Sequence, residues 1–321
     1  MQHRRVDPEA VARHAQMFAN RVKKNHRKLA KAFEREGVGA FRLYDWDIPE
    51  VRAVCDWYEG HLVVAEYERT QTEGVDDYAG SLGRAAAEAL SLPDDRVHAK
   101  QRRTRPSEGA RYRRLGDGGR LMQVRERDLR FWVNLDDFVD TGLFADHRDT
   151  RRWFGAQSAG KRVLNLFSYT GTFTCWAAHG GASETISVDR SERYTAWAED
   201  NLALNGLEGP AHRFVATDVH DWLAEASRLD LRFDLILVDP PSFSTVFGRG
   251  DFDIQRDHPT LLTTLRRRLS EGGTLLFSTN HQRFEPRLEG LPFSEIEEIT
   301  ERTVPVDYRN RAVHRAFLLR G

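Results

Sequence analysis

The sequence predicts an α/β protein: a doubly wound, Rossmann-like domain preceded by a smaller α+β domain. Three observations carry this. From residue 162 onward, short apolar runs alternate with helix-length segments: "RVLNLF", "TISVD", "HRFVATD", "FDLILVD" and "GTLLFST" are each followed or separated by helical pattern, the signature of a mostly parallel sheet covered on both faces. The first 130 residues lack that alternation and mix one long helix with scattered strands. At 321 residues the chain is long enough for two cores. The division is therefore expected at 1–130 and 131–321.

In the first part, residues 8–36 read as one helix. Val11, Phe18, Val22, Leu29 and Phe33 recur near helical spacing, and Gly37 ends the run. "FRLYD" and "LVVAEY" read as strands, 77–90 as a helix and "LRFWVNL" (129–135) as a further strand. In the second part, helices are expected at 171–179, at 192–204 with Asn205-Gly206 as the stop, at 220–228 and near 258–269. Strands are expected again near 295–300 and 314–319.

Hydrophobic residues are 40% and charged residues 30% of the chain, a water-soluble balance. The polar start "MQHRRVDPEA" has no apolar core of a signal peptide, and no later run is long enough to span a bilayer, so a cytoplasmic home and no membrane are expected. Cys55 and Cys175 make no disulfide framework, and no Cys/His spacing suits zinc, so no metal is expected. Net charge is −1. Residues 1–130 nevertheless hold 26 basic against 21 acidic residues. Two windows carry the excess, "RVKKNHRKLAK" (21–31) and "RVHAKQRRTRPSEGARYRR" (96–114). One such run is ordinarily a solvated face. Two in one half, with Tyr112, Phe131 and Trp132 nearby, point to contact with a phosphate backbone through Lys23, Lys24, Arg27, Lys28, Lys100, Arg102, Arg103 and Arg105.

In open parallel sheets, ligands bind beyond the carboxyl ends of the strands, at the switch point. Here those ends read "NLFSYTG", Asp189, Asp218 and "DPPSFS". The first turn (Phe167, Ser168, Tyr169, Thr170, Gly171) has one glycine, where a pyrophosphate would need two or three. A ring of Asp189, Asp218 and Asp239 would also repel it. The ring suits a cofactor with hydroxyls, an exocyclic amine and a positive charge: S-adenosylmethionine, with its ribose diol on Asp189, its adenine amine on Asp218 and its cationic end near Asp239. Asp189 follows Gly171 by 18 residues, close to the offset of a ribose-binding acid; before Ser191 it could equally cap a helix. Asp239-Pro240-Pro241 fixes a rigid turn stripped of two backbone donors, which leaves acceptors facing the site and Phe243 to lie against a nucleobase. As a plain strand-to-loop turn, the same residues would carry no chemistry.

These segments, with "SVDRSERYTAWAEDNLALNG", "FDIQRDHPTLL" and "TLLFSTN", resemble the class I S-adenosylmethionine-dependent ribosomal RNA methyltransferases, most closely the RlmK-like 23S rRNA guanine-N7 type. The likeness extends upstream through "MFANRVKKNHRKLAKAFEREGVGAFRLYDWDIPE" and "FWVNLDDFVDTGLFADHRDTRR". It implies an RNA-engaging N-terminal domain before a class I methyltransferase domain acting on 23S ribosomal RNA. By analogy it places Asp146 and Arg148 near the methionine end of the cofactor. Many relatives carry an N2-guanine methyltransferase and RNA-binding module fused upstream. That module has no counterpart in these 321 residues, so a separate chain supplying it is expected.

The chemistry narrows the acceptor. Cytosine carbon-5 methylation needs a cysteine nucleophile, and the places where similar enzymes carry one read "FSTN" and "DPPS". Guanine N7 needs only orientation, because it has an in-plane lone pair and no proton to lose. Transfer to an exocyclic amine remains open through the acceptors of "DPPSF". So does a non-catalytic RNA-binding or assembly module. Asp239, Pro240 and Phe243 are the candidate catalytic residues. Arg256, in "QRDH", could reach a phosphate or an extruded base, with Asp257 as the helix cap in the plain reading and His258 as structural or surface.

Overall fold

The computed structural model describes residues 6–67, 69–102, 119, 121–246 and 250–321. Two compact units emerge, Met1–Ala145 with Val306–Asn310, and Asp146–Pro305 with Arg311–Gly321. The division falls at Ala145, beyond the expected residue 130, for a local reason. Strands β5 (Leu121–Glu126) and β6 (Leu129–Asn134) are the two arms of one antiparallel hairpin, so a boundary at 130 would cut it. The hydroxyl of Thr141 also lies 2.9 Å from that of Tyr58.

The first unit opens with α1 (Pro8–Glu36). Asp7 caps it by accepting from the Ala10 N–H, and Gly37 closes it in the left-handed region at φ 72°. The sheet that follows contains β1 (Ala40–Asp45), β2 (Ala53–Tyr58), β3 (His61–Tyr67) and β4 (Val97–Arg102), with α2 (Tyr78–Leu90) between the last two. The strands lie in the order β1-β2-β3-β4, antiparallel until β4 joins β3 in parallel. Phe18, Val22 and Phe33 of α1, Leu82 and Ala86 of α2, and Phe41, Cys55 and Val64 of the sheet share one core.

The second unit begins at Asp146, inside a 3-10 turn (Ala145–His147) that runs into α3 (Arg148–Ala156). There follow β7 (Arg162–Leu166), α4 (Thr172–His179), β8 (Glu184–Asp189), α5 (Glu192–Leu204), β9 (His212–Ala216), α6 (Val219–Arg228) and β10 (Phe233–Val238). A short hairpin of β11 (Phe243–Val246) and β12 (Gly250–Asp253) leads into α7 (Ile254–Arg266) and β13 (Leu269–Thr279). The chain ends with β14 (Glu295–Glu298), α8 (Thr300–Thr303) and β15 (Arg315–Arg320). The helix expected at 258–269 thus starts earlier, because Asp253 caps it by accepting from the Gln255 N–H.

The seven strands stand in the order β14-β15-β13-β10-β7-β8-β9. β13, β10, β7, β8 and β9 are parallel, and β15 enters antiparallel between β13 and β14. From β7 the chain moves outward to β8 and β9, then crosses back to place β10 on the other side. The switch point is therefore between β7 and β10. Leu235, Ile236, Leu237 and Val238 of β10 are all at most 1% exposed, and each such side chain contributes roughly 1.5–3 kcal/mol relative to exposure. A strand buried on both faces holds the turn at its end in a fixed place.

Candidate active site

The turn after β7 is built under strain. Phe167 and Tyr169 have φ of 58° and 49°, and Gly171 has 69°, a concentration of left-handed backbone typical of binding turns. A Cβ at Gly171 would lie 2.5 Å from that of Ala198, so α5 packs directly on the turn. Hydrogen bonds with the neighbouring strand and helix hold it. The Tyr169 N–H donates to Asp189 Oδ2 at 2.9 Å, the Asn201 amide donates to the Thr170 carbonyl at 2.9 Å, and the Ser168 N–H donates to the Val188 carbonyl at 3.1 Å. Ser168 Oγ is buried and, among the described residues, has no hydrogen-bond partner.

Asp189 leaves β8 with its second oxygen accepting from the Ser191 N–H at 2.9 Å. It is not the cap of α5; Ser191 is. Burial raises the Asp189 pKa, opposed by the backbone bonds from Ser191 and Tyr169. Asp218 ends the β9 segment and does cap a helix, accepting from the His220 N–H at 2.9 Å.

Asp239 follows β10 directly, with Pro240 buried behind it. Its carboxyl is pushed up to about 6, first by burial and further by Asp146, while His314 and a hydrogen bond from Ser278 pull it down. Phe243 is 61% exposed and meets His281 edge-on at 5.6 Å. The Ser242 hydroxyl lies 3.1 Å from Asn280 Oδ1, joining the ends of β10 and β13. Phe252 of β12 turns inward and stacks on Phe167 at 6.2 Å, so the hairpin rests on the turn after β7. Two strands of four residues offer too little alternation to be detected from sequence.

Two histidines complete the cluster, and neither was anticipated. His314 Nδ1 is 2.9 Å from Asp146 Oδ2, and its Nε2 is 3.0 Å from the Thr303 hydroxyl. His147 stacks on it, with centroids 4.0 Å apart and planes inclined by 16°. His147 Nε2 also approaches Ser278 Oγ at 3.3 Å and Asp239 Oδ2 at 3.9 Å. Burial, then His314, holds the His147 pKa well below its ordinary value. Asp146, His147 and His314 each bring one ligand atom within 4.8 Å of the others. Imidazole binds an ion through a lone pair in its ring plane, and two nearly parallel stacked rings cannot aim both lone pairs at one point. The cluster is therefore read as a hydrogen-bonded one. The "DHR" segment was visible in the sequence, but nothing in spacing could connect it to a histidine near the C-terminus.

The remaining candidates divide. Arg148 is buried as the first residue of α3, at 1% exposure, which excludes a solvent-facing arginine. Lys23, Lys24, Arg27 and Lys28 line one shallow groove on α1 with Asn20. Lys100 requires correction as an RNA contact: it is 6% exposed, and its ammonium donates to the Phe138 carbonyl at 2.6 Å. Arg103, Arg105 and the side chain of Arg102 lie outside the described residues. Arg256 folds back on Asp257 at 2.7 Å. Asp257 is not the cap of α7, and His258 is core, bonded to the Ile254 carbonyl and the Arg287 N–H. Cys55 and Cys175 are fully buried, with their thiol pKa values raised by burial.

A sheet in the order β14-β15-β13-β10-β7-β8-β9, with acids at its strand tips and a strained turn at the switch point, defines a nucleoside-cofactor protein of the methyltransferase class. Residues 41–301 match the model of the S-adenosylmethionine-dependent methyltransferase family, and the chain belongs to that family. It is 43% identical, over 98% of its length, to the ribosomal RNA large subunit methyltransferase K/L of Allochromatium vinosum, and spans 44% of that relative. In fold it is similar to SMU.776 complexed with SAH, with TM-score 0.75, 23% identity and coverage of 96% of this chain and 82% of that one. A Streptococcus mutans protein described as an S-adenosylmethionine-dependent methyltransferase gives 0.74 at 23% identity, covering 96% of this chain and 81% of that one. The methyl donor of the family is S-adenosylmethionine. The residues present fit it: the buried Ser168 hydroxyl, without a partner among the described residues, and the carboxylates at the end of β8 and after β9 are polar groups of the kind that a ribose and an adenine amine would require.

Proposed function

We propose that this chain is a ribosomal RNA methyltransferase that modifies N7 of a guanine in the large-subunit RNA, in the cytoplasm. The observation that carries the reading is the Asp239-Pro240-Pro241 turn, set at the switch point beside the turn after β7, with exposed Phe243 next to it and both cysteines buried. The 43% identical relative, a ribosomal RNA large subunit methyltransferase, supports the RNA class. When bound, S-adenosylmethionine supplies a methyl group activated by a sulfonium. The Ser168–Gly171 turn, Asp189 and Asp218 would hold its nucleoside, and Asp146 and Arg148 would hold its amino-acid end. Phe243 would stack on the target base, extruded at a cost of a few kcal/mol, and Asp239 and Pro240 would fix the angle of the lone pair. No group has to remove a proton, and no buried thiol has to act.

The raised pKa of Asp239 favours one second reading. A carboxylate poised near 6 could accept the proton lost by an exocyclic amine. One experiment separates the two. Large-subunit rRNA treated with the protein and S-adenosylmethionine is digested to nucleosides and weighed. Recovery of 7-methylguanosine is expected; an N2- or N6-methyl nucleoside would replace the N7 assignment, and no methylated nucleoside would end the substrate reading. Lys23, Lys24, Arg27 and Lys28 of α1 are the proposed phosphate contacts, and a separate chain is proposed to supply the N2-guanine activity.

A further inference from the structure

His314 sits in the last loop of the chain, between α8 and β15, and has no part in the proposed cofactor and base contacts. Its ring is gripped at both nitrogens. The Thr303 hydroxyl lies 3.0 Å from the Thr300 carbonyl, which can only accept, so its proton goes there and its lone pair faces His314 Nε2. At the other end Nδ1 meets the Asp146 carboxylate at 2.9 Å. His314 is 1% exposed and lies flat against His147, whose Nε2 stands 3.8 Å from Asp146 and 3.9 Å from Asp239. Among the described residues, the groups facing Asp239 are thus His147 and Asp146 from the segment before α3, His314 from the segment before β15, and Ser278 from β13; Arg151 of α3 faces His147.

We propose that His314 is a positioning residue that also sets charge: clamped by Thr303 and stacked on His147, it orients the Asp146 carboxylate and keeps Asp239 available as an anion for the cationic end of the methyl donor. The identity of that ligand rests on the methyltransferase reading; the bracing of the carboxylates does not. Two carboxylates close together resist joint ionisation. A ring donating into one of them relieves that resistance, and the electrostatic pull of His314 on Asp239 has this sign.

Two measurements test it. In the ligand-free protein, the Asp239 carboxyl carbon is followed by NMR from pH 4 to 8 and identified by its loss in Asp239→Asn. His314→Gln is expected to move its midpoint upward by about one pH unit, and Thr303→Val by less in the same direction. An unmoved midpoint in both variants overturns the proposal. In calorimetry with S-adenosylmethionine, the acid limb of binding should move up in His314→Gln, with affinity recovering to within about threefold of wild type at high pH. Equal weakening at every pH marks a merely structural residue and also overturns it. If the wild-type protein binds no S-adenosylmethionine at any pH, the methyltransferase reading fails, and the ligand-free titration still decides the role of His314.

Discussion

At Gly171, backbone geometry and packing impose the same residue. φ is +69°, and a Cβ would sit 2.5 Å from Ala198. Gly171→Ala should therefore cost roughly 2–4 kcal/mol, from the left-handed backbone and the overpacked contact together, read as a drop in the denaturant midpoint. At Asp239 the linkage runs the other way from a salt-bridged acid. Its folded pKa, about 6, lies above the ordinary 3.8. The stability it contributes is complete below 3.8 and is lost as pH rises through 6. Asp239→Asn should raise the melting temperature at pH 8 and leave it unchanged near pH 4. The same variant should lower turnover at least ~100-fold while changing S-adenosylhomocysteine affinity less than ~10-fold. Equal losses in both would remove the catalytic role.

Two elements divide the labour that the sequence could only locate broadly. The β11–β12 hairpin turns Phe252 inward and Phe243 outward, at 6% and 61% exposure. Phe252→Ala should cost roughly 3 kcal/mol. Phe243→Ala should leave the melt unchanged and lower methylation of RNA by about 10–100-fold, measured with saturating cofactor. On α1, Lys24, Arg27 and Lys28 are exposed on one face. Reversing all three should weaken RNA binding and flatten its salt dependence by nearly one unit of slope per lost phosphate contact, measured by titration at several salt concentrations. An unchanged slope would leave α1 as ordinary surface. The hydrophobic period revealed α1, because Phe18, Val22 and Phe33 fall on a single buried stripe. It could not reveal α3, whose "RDTRRWFGA" buries two arginines and so carries no apolar pattern.

For the whole molecule, the regular strand–helix alternation made the second unit legible, and the acids after β8, β9 and β10 fell where strand tips were expected. Two features were hidden for the same physical reason: they depend on chain crossings between distant segments. Val306–Asn310 belong to the first unit although both flanking segments belong to the second. His314 reaches Asp146 across most of that second unit's sequence. No local rule links such positions; only the antiparallel insertion of β15 beside β13 does. Lys100 misled for a complementary reason, since a lysine in a basic run can bury its stem and satisfy a loop carbonyl. Among the described residues no helix is long and apolar enough to cross a membrane.

Strand-tip acids gathered around one methyl-donor pocket are the centre of the proposed function. Calorimetric titration of the intact chain with S-adenosylhomocysteine, beside Asp189→Ala and Asp218→Ala, tests that most directly. Saturable micromolar binding is expected in the wild-type protein, weakened at least ~10-fold by each substitution in a chain that still melts cooperatively. No binding by the wild type, or equal affinity in all three, would contradict it.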